Sequence, residues 1–244
     1  MNPLRRFIAS HPELAILAVI ATIAVILFDS VPTDLLLSAF FFDSRSTTWP
    51  ASDIDWVRFL NLHFMEGFSA AAAVVSLVCI AISLRHRQKN EWRRVGVFLL
   101  LSLAVGPGLL VNGVFKSQWG RARPEHVVQF GGTEQFRRPF EPGKGGAPEL
   151  GGAGRSFPSG HAAVAFWSSS AFFVARYLLP AQAGLILAGS IALGSVVGLA
   201  RVAAGRHFVS DILWAGILVF GVNWLIAYRV MALPRQPTPP STAQ

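Results

Sequence analysis

Six stretches of 15 to 24 residues, at about 14–28, 64–84, 95–115, 161–179, 183–199 and 208–231, are dominated by apolar side chains. A helix of roughly 20 such residues crosses the hydrocarbon core of a bilayer. The expected fold is therefore all-α, a polytopic membrane protein with six transmembrane helices. Composition agrees. The 244-residue chain is 52% hydrophobic and 14% charged, with mean hydropathy +0.49, whereas soluble domains carry about a quarter charged residues. Residues 1–232 are read as one membrane domain. The end of the chain, 233–244, holds Pro234, Pro237, Pro239 and Pro240 and is expected to be a disordered tail.

The first run follows Arg5 and Arg6 in the manner of a signal peptide, but no small-residue cleavage site follows it, so it is read as a short span. The patch at 35–42 is too short to span and is assigned to the membrane interface. Six spans put both termini on one side. The raw count of Lys and Arg is nearly even between the two faces. The dense cluster of Arg85, Arg87, Lys89, Arg93 and Arg94 lies in a short loop, where the positive-inside bias is strongest. This places the termini in the cytoplasm and the opposite helix ends outside it.

The formal net charge is +8, with 18 Arg against 3 Lys. Much of that charge lies between spans or within three short polar motifs, so nucleic acid is not an expected partner. The single Cys79 excludes an intramolecular disulfide and a cysteine zinc cluster. No convincing set of metal ligands is present, and neither metal nor cofactor is expected.

The three motifs fall at the ends of predicted spans. Charge beside lipid is costly and is kept mainly where it serves a site. Lys116 and Arg123 are seven apart, so a third helix continuing past Lys116 would bring both to one face, with Pro124 ending or kinking it. Two such cations suit a phosphate, Arg as a planar fork and Lys as a point charge, although alone they also fit basic residues snorkelling at a membrane edge. Arg121 stays open as a neighbour of the site, and Trp119 with Gly120 reads as a packing and turn element. Next, Pro158-Ser159-Gly160-His161 precedes an apolar helix. Ser159 suits an N-cap, and first-turn amides favour anions. Last, Arg201, His207 and Asp211 span a turn between two helices. His207 and Asp211, four apart, are expected as neighbours on one helix face, where a carboxylate would fix the tautomer of the ring and free its other nitrogen to attack. Asp29, Asp43, Asp53, Asp55, Glu125, Glu134, Glu141 and Glu149 are expected to be solvated. The loop from 130 to 157, rich in Gly and Pro, suits a lid or binding element.

The order and spacing of these residues resemble the type 2 phosphatidic acid phosphatase superfamily, whose pattern is K-x6-R-P, P-S-G-H and S-R-x5-H-x3-D. Lys116, Arg123 and Pro124 match the first part, Pro158, Ser159, Gly160 and His161 the second, and Arg201, His207 and Asp211 the third. Ala200 stands where the family usually has Ser. The stretch 119–124 followed by Phe130-Gly131-Gly132 resembles bacterial members, including lipid A phosphatases.

The resemblance implies a metal-independent phosphatase of the bacterial inner membrane, with its site facing the periplasm. His207 would be the nucleophile that becomes phosphohistidine, Asp211 its orienter, and His161 the acid. Lys116, Arg123, Ser159, Gly160 and Arg201 would hold the phosphate. The implied partners are the bilayer and an amphipathic lipid phosphate: undecaprenyl diphosphate, phosphatidylglycerol phosphate, phosphatidic acid or lipid A. Three alternatives remain open at this point. A carrier of anionic headgroups explains the cations but not the His and Asp pair. A phosphotransferase would use the same site. A vanadate-dependent haloperoxidase shares the motifs but is soluble. Oligomeric state is not readable.

Overall fold

The computed structural model describes residues 11–85, 90–143 and 154–234. The expectations for Arg5, Arg6, Arg87 and Lys89, for residues 144–153 of the long loop, and for the tail beyond Pro234 lie outside the described residues.

Among the described residues the regular structure is helical, with only isolated β-bridges such as that between Arg121 and Arg155. Helix α1 is Pro12–Asp29, opened by a proline at its first turn, where the missing N–H costs nothing. A seven-residue helix, α2 (Thr33–Ala39), follows and takes in most of the apolar patch at 35–42. Its Asp34 and Ser38 point into the protein and are buried. Helix α3 (Asp55–Leu62) leads into α4 (Phe64–Arg85). Helix α5 starts at Asn90–Leu103, widens to π winding over Ala104–Phe115, and ends with Lys116–Gln118. Pro107 lies in the widened part and has no N–H to give, and the Asn112 side-chain amide donates to the Pro107 carbonyl at 2.7 Å. Helices α6 (Gly160–Trp167), α7 (Ser170–Leu178), α8 (Ala183–Ala203) and α9 (Val209–Leu225, with a π turn Ile226–Val230) complete the bundle.

Among the described residues, five continuous helices are long and apolar enough to cross a membrane. The expected span at 161–179 is instead divided at Ser168 and Ser169. There the backbone amides of both serines take short-range bonds to Ala165 and Phe166, at 3.1 and 2.9 Å. The Ser168 hydroxyl competes for the Ala165 carbonyl at 2.6 Å, and Asn223 donates to the Ser169 hydroxyl at 3.0 Å. Hydroxyls that divert backbone bonds break the helix, and this part of the bundle is made of two short helices end to end.

Helix α6 is the axis of the fold. Its Ala162, Ala163, Val164 and Ala165 are buried, and it packs against α4, α8, α9 and the π-wound part of α5. On α4 the buried residues are Ala72, Ser76, Cys79 and Ser83, spaced at three and four along one face and all small. Small residues let helices approach closely in a bilayer, where association relies on packing. By contrast Ile16, Val19 and Ile23 on α1, and Val74, Val75 and Leu77 on α4, are exposed to the surrounding lipid.

One glycine on α8 shows how tight the centre is. A Cβ placed on Gly194 would lie 2.3 Å from the Phe166 ring of α6. Gly194→Val should therefore destabilise the protein by about 1–3 kcal/mol, as overpacking does, seen as a lower melting temperature in detergent. An unchanged melting temperature would mean that α6 and α8 are free to separate.

Candidate active site

Five helix ends converge at one end of the bundle: the C-termini of α3, α5 and α8 and the N-termini of α6 and α9. Each contributes a polar residue. The site is built where these ends meet because helix interiors here are apolar and only their ends carry charge.

Helix α5 stops at Gln118, two residues beyond Lys116. Gly120 then adopts φ +69°, and Arg123 is extended at φ −81°, ψ 158°. The expectation that helix continuation aligns Lys116 with Arg123 is corrected: the chain turns, and Arg123 returns from an extended segment. Pro124 does not close a helix but opens a short 3-10 turn, Pro124–His126. The cations nevertheless stay within electrostatic reach of each other and of Arg201.

Ser159 caps α6, its hydroxyl accepting from the Ala162 amide at 3.4 Å. Gly160 has no side chain because none fits: a Cβ would lie 2.7 Å from Asn112 Oδ1 and 2.9 Å from Lys116 Nζ. The Lys116 ammonium therefore sits directly against the first turn of α6, where backbone amides are unused by the helix. His161, one residue on, presents Nε2 to the carbonyl of Asn61 at 3.0 Å. Its Nδ1 is buried with no hydrogen-bond partner among the described residues.

His207 is not on a helix face, as the four-residue spacing predicted. Phe208 is the N-cap of α9, so His207 lies just outside the helix and Asp211 is its third residue. The two meet across the cap, with Nδ1 3.5 Å from Oδ2, a loose contact of the kind unliganded sites often show. The same Oδ2 accepts from the Phe208 amide at 2.8 Å and the Ser156 hydroxyl at 2.6 Å. The other oxygen accepts from Arg121 Nη1. The carboxylate is thus held by several donors, and both ring nitrogens of His207 are buried without a hydrogen-bond partner among the described residues, Nδ1 making only the loose contact to Oδ2.

Arg121 is resolved by the fold. Its guanidinium lies inside the protein, fully buried, between Asp211 and Asp34. Burial opposes its charge, but Asp211 and Asp34 together hold its pKa above the ordinary value. Burial raises the Asp34 carboxyl, against the pull of Arg121. Burial also lowers Arg123, partly offset by Glu125. Glu125, expected to be solvated, is largely covered and accepts from Arg206 at 2.6 Å, with Arg123 at 3.6 Å. Arg201 Nη1 donates to Asn61 Oδ1 at 2.9 Å, and its Nε is buried without a partner among the described residues.

Asn61, Asn112, Asp34, Ser156, Ser210, Arg155 and Arg206 were not singled out from the sequence. Ser156 alone carried a signal, since it stands two residues before Pro158. The others come from segments whose local patterns are those of ordinary helix ends or loops. Among the described residues no group of three His, Cys, Asp or Glu could hold a metal ion.

Chemically, the arrangement offers two imidazoles, His207 with a carboxylate beside it, and fixed cations, Lys116 and Arg201, within electrostatic reach of both rings. Such a site can bind an oxyanion, attack its centre and protonate what leaves.

The chain matches the sequence profile of the PAP2 superfamily over residues 95–235, more than half its length, and belongs to that family. It is a membrane phosphatase of the superfamily. A lipid A 4'-phosphatase of Francisella tularensis subsp. novicida is 29% identical over 201 residues, covering 81% of this chain and 86% of that protein. A lipid A 1-phosphatase of Rhizobium etli is 31% identical over 176 residues, 65% of each chain. The crystal structure of the first transmembrane PAP2 type phosphatidylglycerolphosphate phosphatase from Bacillus subtilis shares the fold. Its TM-score is 0.51 at 18% identity, over 92% of this chain and 96% of that one.

Burial pushes the His207 pKa down to about 3, although Asp211 works to raise it. The folded ring is then neutral at pH 7. The sign for stability follows. An unfolded imidazole gains its proton near 6.5, while the folded one resists until about 3. The stability of the neutral buried ring is fully present above about pH 6.5 and is lost as pH falls, at about 1.4 kcal/mol per unit. Melting temperatures in detergent at about pH 7.5 and about pH 4.5 should fall further for wild type than for His207→Gln. Equal falls would mean that the ring already titrates freely in the folded state.

Proposed function

We propose that the protein hydrolyses the phosphate ester or diphosphate of an amphipathic lipid through a phosphohistidine on His207. The observation that carries this reading is a set of buried nitrogens with no hydrogen-bond partner among the described residues: both ring nitrogens of His207, His161 Nδ1, Arg201 Nε and Arg123 Nε. Buried polar groups are normally paired. Such nitrogens on two imidazoles and two guanidiniums within electrostatic reach of one another suit a ligand rich in oxygen. A carrier of anionic headgroups would need the cations but not the free imidazole nitrogens.

In this mechanism Lys116, Arg123, Arg201, Ser159 and the Gly160 amide hold the phosphate oxygens and stabilise charge in the transition state. His207 Nε2 attacks phosphorus, and the bond from phosphorus to the leaving oxygen breaks. That oxygen takes a proton from His161. Asp211 orients the His207 ring and stabilises the cation formed. Water then attacks the phosphohistidine, giving its proton to His161, and the phosphorus–nitrogen bond breaks to release inorganic phosphate. The Asn61 carbonyl at His161 Nε2 favours Nδ1 as the nitrogen that passes the proton. The fixed cations supply the positive charge, and no step uses a metal.

The substrate class we favour is the phosphate of a lipid A-like glycolipid. Support comes from the lipid A phosphatases among the relatives. It also comes from the position of the site at helix ends beside α3, whose Trp56, Phe59 and Leu62 are exposed as interfacial anchors would be.

Two experiments bear on this. Rapid-quench trapping with labelled phosphate, in EDTA throughout, should yield an acid-labile, base-stable phosphoenzyme in wild type and none in His207→Ala. His161→Ala should still be phosphorylated by nitrophenyl phosphate, whose leaving group needs little protonation. A phosphoenzyme in His207→Ala would assign the nucleophile elsewhere. For orientation, Gln129 is exposed on the motif side and native Cys79 is buried in α4. Gln129→Cys should react with an impermeant thiol reagent on intact spheroplasts, and labelling only after lysis would reverse the topology.

A further inference from the structure

Asp34 lies outside all three motifs, on the seven-residue helix α2, ahead of the region that the family profile matches. It is fully buried. Its Oδ1 accepts from the Ser210 amide at 2.9 Å, and its Oδ2 from Arg121 Nη2 at 2.7 Å and from the Ser210 hydroxyl. All of these partners donate, the environment of an ionised carboxylate, which can only accept. Arg121 spends its other terminal nitrogen on Asp211 and on Ser210 Oγ, the latter at 2.8 Å. Its Nε donates to the Arg137 carbonyl at 2.9 Å. The Phe208 ring covers its plane, 4.5 Å from Cζ.

The charge count of this group is informative. Two carboxylates against one guanidinium leave one net negative charge, buried directly behind His207. If Asp211 faced Arg121 alone, the pair would be neutral, and a cation on His207 would gain little from it. When Nε2 bonds to phosphorus while Nδ1 keeps its proton, the ring becomes a cation and the group closes to neutrality. We propose that Asp34 is a positioning residue for the nucleophile, supplying the second negative charge that lets Asp211 act as counter-ion to the phosphorylated ring while Arg121 holds it in place. This rests on the phosphohistidine reading above. It adds a residue that touches neither substrate nor His207 and acts through Arg121 and Asp211.

The test is a charge-balance cycle on full-length protein in detergent, with nitrophenyl phosphate as substrate and rapid-quench measurement of phosphoenzyme formation. Asp34→Asn leaves the group neutral, Arg121→Gln leaves it doubly negative, and the double variant restores one negative charge. Asp34→Asn should slow phosphorylation about 10- to 100-fold, the range seen when the outer partner of a metal-bound histidine or carboxylate is lost, with KM changed much less. The double variant should recover about tenfold over Asp34→Asn, even if its melting temperature is lower than that of either single variant, because it restores charge and not contacts. A purely structural role predicts the reverse order, the double variant being the slowest, and that result overturns the inference. So does an Asp34→Asn enzyme phosphorylated at the wild-type rate. If wild type carries no phosphate on His207, the reading of the site fails first and the inference falls with it. The two failures are thus told apart by the wild-type lane.

Discussion

A guanidinium held between two carboxylates in a dry interior is the interaction on which the rest of this site depends. Arg121 joins α2 through Asp34 to α9 through Asp211, and its own backbone carries Ser156 by a 3.0 Å bond to the carbonyl. Taking three charges out of water is costly, and removing Arg121 would leave two buried carboxylates without their cation; breaking a buried ion pair in this way costs about 3–5 kcal/mol in measured cases. The guanidinium thereby ties α2, the segment around Ser156 and the first turn of α9 together beside His207.

The same economy appears at the other imidazole. Asn61 is the penultimate residue of α3, and its carbonyl meets His161 while its side chain meets Arg201. One residue thus orients both His161 and Arg201. Behind the site, the short helix α6 is surrounded by four other segments and lined with Ala and Gly contacts, so its N-terminus and Ser159 cannot drift relative to Lys116. The Lys116 ammonium lies where a Gly160 side chain would be. Close backbone approach here serves the chemistry directly, because it brings helix amides and an ammonium to one point.

The membrane bundle and the motif residues were legible in the sequence, because apolar runs of spanning length and charges beside them have few other meanings. Lys116, Arg123, His161, Arg201, His207 and Asp211 were all named, and the fold brings them to one end. The reasons given for two of the pairings were wrong. Seven residues between Lys116 and Arg123 suggested two helical turns, yet the helix ends at Gln118 and the chain doubles back. Four residues between His207 and Asp211 suggested a helix face, yet His207 stands before the cap and Asp211 reaches back to it. In both cases the side chains meet because tertiary contacts close a turn, and spacing alone does not encode that closure.

The sequence by itself determined that this chain lives in a bilayer as helices and that its charged residues gather at helix ends, since the cost of burying charge in lipid leaves little freedom. It did not determine that the span at 161–179 breaks at Ser168 and Ser169, where hydroxyls and local backbone bonds compete with the helix. Nor did it determine the partner of Arg121. Asp34 sits 87 positions earlier, in a helix with no motif, and Glu125 looked like any loop acid. Pairing of buried charges is a long-range choice made by packing, because a carboxylate is drawn out of water only when the fold has already placed a cation and amide donors around it.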